Sequence, residues 1–176
     1  MILCLVCIIT PVRLNAADWE KEAGTVFSPK EIGLTLVLKD RQGESPWHAL
    51  SILTDISGVI NGIFDHPGYK VKYGCMYDIK SWETQRGTRI SLYTGPGASA
   101  GYVNERERRH MKAMASLCGN FGLSFMFGGT CTMNFGISGE LGLCISGTSL
   151  SDTNMTLYRS GLRNFLTPEL TINYRF

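Results

Sequence analysis

The sequence predicts an all-β chain, a closed antiparallel up-and-down transmembrane β-barrel of eight strands. Three observations predict it. Apolar and polar residues alternate with a period of two along most of the chain, as they do in strands whose faces meet different surroundings. No apolar run reaches the roughly 18–20 residues that a spanning helix needs, yet 44% of the 176 residues are hydrophobic, so a membrane would have to be crossed by strands. The strand charges that can be placed all fall on one face, which is the pattern of a polar interior inside an apolar wall.

The elements follow in chain order. Ile32, Leu34, Leu36 and Leu38 alternate with Glu31, Gly33, Thr35, Val37 and Lys39, predicting a strand over 31–39. Leu50, Ile52 and Ile56 alternate with Ser51, Asp55 and Ser57 over 48–60, with the phase blurred by Leu53 and Val59. Tyr69, Val71, Tyr73, Cys75, Tyr77 and Ile79 define 68–80 against Lys70, Lys72, Gly74, Met76 and Asp78. Ile90 and Leu92 against Arg89 and Ser91 open a strand over 88–103. Leu117, Phe121, Leu123, Phe125 and Phe127 oppose Ser116, Cys118, Asn120 and Ser124 over 112–127. Cys131, Met133, Phe135, Ile137, Leu141, Leu143 and Ile145 oppose Thr132, Asn134, Ser138 and Glu140 over 130–147. Leu170, Ile172, Tyr174 and Phe176 oppose Thr171, Asn173 and Arg175 over 165–176.

In these strands Glu31, Lys39, Asp55, Lys70, Lys72, Asp78, Arg89, Glu140 and Arg175 share the polar face, and the apolar sets carry no charge. A soluble barrel or sandwich would alternate too. The choice rests on what each face holds: small residues and charges of both signs on one, large aliphatics with Tyr or Phe near strand ends on the other, as an aromatic girdle would have. Backbone groups cannot stay unpaired in hydrocarbon, so such a sheet must close.

Seven strands are clear, and membrane barrels of this kind usually have an even number. With the C-terminus in the periplasm, the tight turn at Gly128-Gly129-Thr130 and the turns near 41–46 and 83–87 are periplasmic. Residues 61–67, 104–110 and 146–164 then form external loops. The first clear strand starts outside, so an eighth is expected upstream, within Ala23 to Phe27 (AGTVF). An eight-strand interior just holds side chains and leaves no open channel.

The ends divide the chain. Residues 1–16 read as a cleaved signal peptide, apolar from Met1 to Thr10 with Leu14-Asn15-Ala16 before a cut at Ala17, though without a basic residue ahead of the apolar run. Residues 17–176 are the barrel. Seventeen Lys and Arg against fifteen Asp and Glu give a net charge of +2, no basis for nucleic-acid binding. Of the four cysteines beyond the signal, Cys75 and Cys131 fall outward and Cys118 and Cys144 inward. If Phe127 pairs with Cys131, Cys118 faces Glu140 rather than Cys144, so no disulfide is expected, and the spacing suits no zinc site.

The last strand closes on Leu170, Ile172, Tyr174 and Phe176, behind Pro168. This ending resembles the C-terminal signal by which outer-membrane barrels are recognised for assembly. The stretches RGTRISLYTGPGASAGYV and LTPELTINYRF are similar to small outer-membrane barrels of Bacteroides-type bacteria, a family without a settled activity. By architecture the likeness is to OmpX-like and OmpA-transmembrane-like barrels. The resemblance implies the outer membrane of a Gram-negative bacterium, with its lipid and lipopolysaccharide and the barrel-assembly machinery as partners.

Chemistry is sparse. An esterase-type centre needs a nucleophile within reach of a base. His66 and His110 fall in expected loops. His48 stands near a periplasmic strand end, three residues from Ser51 and so on the opposite face. No His-x-Ser-Asn pattern of lipid A deacylases is present. No catalytic, cofactor-binding or metal residue is therefore expected. Glu140, with Lys72, Arg89 and Arg175 as partners and Asp55 as a further acid, is expected to form an interior polar network, since an unpaired buried charge is costly. Gly95-Pro96-Gly97 interrupts a strand, as a kink or as a gap in the wall. Arg106, Arg108 and Arg109 could meet external anions. The expected function is non-enzymatic: a barrel with a plugged polar interior serving surface interaction or envelope integrity. The rival is a lipid-modifying barrel enzyme of acyltransferase or deacylase type.

Overall fold

A computed structural model describes residues 19–40, 46–56, 68–85, 87–104, 111–146, 154–160 and 166–176. Among them lie nine strands: β1 (Trp19–Phe27), β2 (Glu31–Asp40), β3 (Trp47–Asp55), β4 (Tyr69–Glu83), β5 (Arg89–Asn104), β6 (Met111–Phe127), β7 (Cys131–Ser146), β8 (Asn154–Ser160) and β9 (Leu166–Arg175). They fill eight positions of one closed antiparallel barrel. Strands β1 to β7 each pair with the next, and β9 closes the wall by pairing with both β7 and β1.

The eighth position is built from two pieces. β9 pairs with the first part of β7, from Cys131↔Tyr174 to Gly139↔Leu166. β8 pairs with the rest, from Glu140↔Ser160 to Ser146↔Asn154. Consecutive residues Gly139 and Glu140 thus face Leu166 and Ser160, and residues 161–165, which join the two pieces in sequence, lie outside the described ones.

Two expectations need correcting. The upstream strand demanded by parity exists but covers nine residues, Trp19–Phe27, rather than the five of AGTVF. Its inward side carries Glu20 and Glu22, and its outward side includes Lys21, Ala23 and Thr25, so it lacks an apolar stripe. Residues 154–160, expected within a loop, form β8. The strand expected over 48–60 runs to Asp55, and residues 57–67 lie outside the described ones. So do the signal segment 1–16 and the turn at 41–45.

The wall is inside out relative to a soluble domain. Thr35, Ser51, Ser91, Ser99, Ser116, Asn120, Ser124 and Thr132 are buried in the lumen, whereas Leu117 keeps 68% of its surface exposed on the outside. Ile52, Leu34, Leu141 and Leu143 share that outer face. Lys21 and Lys80 also point outward, Lys80 with its Nζ 5.3 Å from the Trp82 ring centroid, so the outer face is not free of charge near one end of the barrel.

That end is fixed by turn chemistry. Gly128 and Gly129 take φ of 57° and 73°, a left-handed backbone that glycine reaches without steric cost, and Thr130 N donates to Phe127 O at 3.2 Å. Arg175 N donates to Thr130 O at 2.8 Å, which brings the chain terminus to the same end. The β6–β7 register puts Phe127 opposite Cys131 and Cys118 opposite Glu140, as the spacing predicts. All four cysteines among the described residues are free thiols.

Candidate functional site

The lumen is the place where chemistry-bearing side chains converge, and it has three layers. The middle layer is apolar. Val37, Trp47, Met76 and Tyr93 are buried together with Ala49 against them. The Trp47 and Tyr93 rings meet edge to face, centroids 5.3 Å apart, a favoured aromatic geometry. Tyr93 reaches across because Gly122 and Gly136 leave it room: a Cβ on either would collide with its Oη. This packing leaves a void of about 50 Å³, bordered by Asn120, Asn134 and Thr171.

Above this plug, toward the end away from the terminus, four strands are tied through charge. Lys70 Nζ lies 2.9 Å from Glu31 Oε1 of β2 and 2.9 Å from both carboxylate oxygens of Glu140 on β7. Lys72 Nζ lies 2.6 Å from Glu169 Oε1 of β9 and donates to Ser138 Oγ at 2.7 Å. In a closed ring of eight positions, β4 stands diametrically across from β9, so each lysine spans the lumen. A lysine has the reach for this, and its ammonium donates to several acceptors at once.

Below the plug lies a second cluster. Arg175 Nη2 lies 3.0 Å from Glu20 Oε2 and 3.2 Å from Glu22 Oε1. Glu22, fully buried, also receives Thr132 Oγ1 at 3.1 Å and has Lys39 Nζ at 3.7 Å. Lys39 rests 4.9 Å from the Trp47 ring centroid, and Trp47 Nε1 donates to Asp78 Oδ1 at 3.0 Å, linking this cluster to the plug. A cavity of about 140 Å³ opens at this mouth, lined in part by Glu20, Lys39, Asp78, Arg89 and Arg175.

The expected interior network is therefore distributed differently from its prediction. Glu140 is held by Lys70, not by Lys72, Arg89 or Arg175. Lys72 belongs to the same upper layer but holds Glu169. Arg175 sits in the lower cluster. Arg89 is exposed at the lower mouth, its Nη2 3.4 Å from Ser81 Oγ. Asp55 stands at the upper rim, paired in register with Glu31. Lys70, Glu31, Glu169, Glu20 and Glu22 complete the clusters. Alternation places Lys70 and Glu31 inward, but their partnership crosses the lumen and depends on closure and register, which no local spacing reveals.

In the stretch Gly95, Pro96 and Gly97 the ladder is interrupted on the β4 side only, at Gly95 and Pro96. All three keep partners on β6, at Asn120, Gly119 and Cys118. On the β4 side the ladder runs Gly74↔Gly97 and resumes at Tyr77↔Thr94 without a change of register, and Gly95 stays packed against the Cys75 carbonyl. The irregularity in this pair lies instead between Asp78 and Lys80. His48 points outward, its Nδ1 2.7 Å from Tyr73 Oη, with its ring 5.6 Å from that of Trp19. Ser51 points inward and donates to Thr35 Oγ1 at 2.9 Å, so this histidine and serine are on opposite sides of the sheet. Arg106, Arg108, Arg109, His66 and His110 lie outside the described residues. Ile172, Tyr174 and Phe176 are exposed on the outer face below Leu170. Among the described residues no group of three or more His, Cys, Asp or Glu is placed to hold a metal ion. What the arrangement does chemically is brace: ammonium and guanidinium groups pin carboxylates on strands that are not neighbours.

No family model matches the chain, and no curated protein matches it. Among solved structures it is similar to the N-terminal β-barrel domain of Pseudomonas aeruginosa OprF, at 13% identity and a TM-score of 0.53, over 90% of this chain and 96% of that one. Neisserial surface protein A aligns at 11% identity and a TM-score of 0.44, over 89% of this chain and 94% of that one. What the chain shares with the OprF domain is the fold of a closed antiparallel β-barrel.

Proposed function

We propose that this protein is a non-enzymatic integral barrel of the outer membrane of a Gram-negative bacterium, serving envelope integrity or surface interaction. The observation that carries the reading is the inversion of its surfaces. Large apolar side chains cover the outside, and the lumen is filled with ion pairs and a Trp47–Tyr93 plug. In water that outer wall would be an exposed apolar surface far beyond what soluble monomers tolerate. In a bilayer it is solvated, and the closed ladder satisfies the backbone.

Export by the segment 1–16 belongs to the same reading, as does recognition of Leu170, Ile172, Tyr174 and Phe176 by the assembly machinery. The strand that carries those four residues also closes the barrel, so its capture would control the last pairing step. Outer-membrane lipid and lipopolysaccharide are the surroundings such a wall would meet. Arg106, Arg108 and Arg109 would extend contact to external anions.

Two measurements test the role. Planar bilayers holding the folded protein should show no discrete conductance, because the lumen is braced and plugged. Lipid A from a deletion strain should have an unchanged mass. A mass shift restored by the wild-type gene but not by a His48→Ala variant would replace this reading with the lipid-modifying one.

A further inference from the structure

A concavity also lies outside the lumen. It is an open groove of about 590 Å³ on the outer wall, where the end of β1, the start of β9 and the middle of β6 and β7 meet. Its walls are Phe27, Phe121, Leu123, Phe135, Ile137 and Leu170, all set on the outer face. Ligand pockets commonly measure about 300–1,000 Å³.

The groove backs onto the plug. Gly122 and Gly136 form part of its floor, and these are the glycines against which Tyr93 Oη packs from the lumen. Without side chains there, Tyr93 Oη packs directly against the backbone of β6 and β7. Its upper border is the β1–β2 turn, through Ser28 and Pro29. Above Leu170, β9 has no partner on β1, since that ladder ends at Phe27↔Leu170. Pro168, which lacks a backbone donor, occupies this stretch and lines the groove.

The next residue of the turn is Lys30. It is exposed, and among the described residues it makes no ion pair. A cation therefore stands beside the upper border of a hydrocarbon groove, at the end of the barrel away from the terminus. In barrels of this kind the longer connections face outward; the β3–β4 connection, 56–68, is longer than any at the terminus end and lies at the end of Lys30, which puts this lysine, itself on the short turn 28–30, at the external leaflet.

We propose that the groove seats an acyl chain of one lipid A molecule, with a lipid A phosphate on Lys30. This rests on the outer-membrane reading. Apolar walls match the chain, and the lysine matches the anionic headgroup. A lysine near an anionic lipid surface contributes on the order of fivefold in affinity.

The test uses the whole mature chain folded into phosphatidylethanolamine vesicles containing equal amounts of lipid A and phosphatidylglycerol. The protein is extracted in mild detergent, and retained lipids are counted by native mass spectrometry. Wild type should keep one lipid A. Ile137→Trp, which fills the groove, should lose it, and Lys30→Glu should lower occupancy about fivefold or more. Leu50→Trp, on the outer face of β3, should change nothing and controls for a general effect of tryptophan. Wild-type retention no greater than that of Ile137→Trp would overturn the inference, as would equal retention of phosphatidylglycerol. A chain that stays outside the vesicles would instead overturn the membrane reading on which the site rests.

Discussion

Lys70 holds Glu140 through both carboxylate oxygens at 2.9 Å, joining β4 to β7 across the lumen. The same ammonium holds Glu31 of β2 at 2.9 Å, so one buried cation serves two acids. Removing a single partner from a buried pair leaves an uncompensated charge, which costs about 3–5 kcal/mol. Lys70→Met should therefore destabilise the folded barrel by about that amount in urea unfolding from vesicles. Glu140→Ala should act in the same direction by removing one of the acids that hold Lys70. Combining Lys70→Met with Glu140→Gln should be less damaging than the sum of the single changes, because the second removes a charge that the first strands. Additive losses, or an unchanged thermal transition for Glu140→Ala in detergent, would argue against the brace.

Tyr93 and Gly136 form a second dependence. A methyl group at Gly136 would meet Tyr93 Oη. Overpacking of this kind costs about 1–3 kcal/mol. Gly136→Ala should lower the unfolding midpoint, and adding Tyr93→Phe, which deletes only the hydroxyl, should recover much of the loss. No recovery would mean that the glycine is needed for another reason.

Ile52 separates the membrane reading from a soluble one. It is 60% exposed at the middle of β3. On a soluble barrel Ile52→Arg would be tolerated and would improve solubility. In a bilayer an arginine near the midplane costs about 2–4 kcal/mol. Folding titrations in vesicles should show that loss, and an unchanged titration would contradict the membrane assignment.

Phe176 should matter to assembly more than to stability. It is 72% exposed and stands just past the end of β9. Phe176→Ser should slow the appearance of the compact, heat-modifiable band in cells several-fold or more. The same variant refolded into vesicles from denaturant should unfold within about 0.5 kcal/mol of wild type, as surface substitutions usually do. Equal defects in both settings would point to a structural role instead.

Much of the wall is legible from residues alone, because period two is imposed on each strand by the contrast between lumen and exterior. Leu34, Ile52, Leu117 and Leu143 announce the outer face, and the Phe127-to-Cys131 turn fixes the register that places Cys118 opposite Glu140. β1 is less legible because its outward side holds Lys21, Ala23 and Thr25. β8 is hidden for a different reason. Ser160 and Leu166, six apart in sequence, stand opposite the consecutive residues Glu140 and Gly139, so an alternation followed along the chain changes phase between β8 and β9. The interior charges are each visible, but their pairing is not. Glu169 meets Lys72 only because closure sets β9 opposite β4.

The break in the eighth position also sets where this chain can be lengthened. The register of each piece is set by its own pairs with β7, Glu140↔Ser160 and Gly139↔Leu166, and not by the length of the segment that joins them. The cost of closing a longer connection rises only with the logarithm of its length, about 0.6 kcal/mol per doubling. An epitope or a small folded module spliced there would leave every paired residue in register, including those that close the cylinder. The protein thus carries a built-in splice point between Ser160 and Leu166, beside the middle of β7.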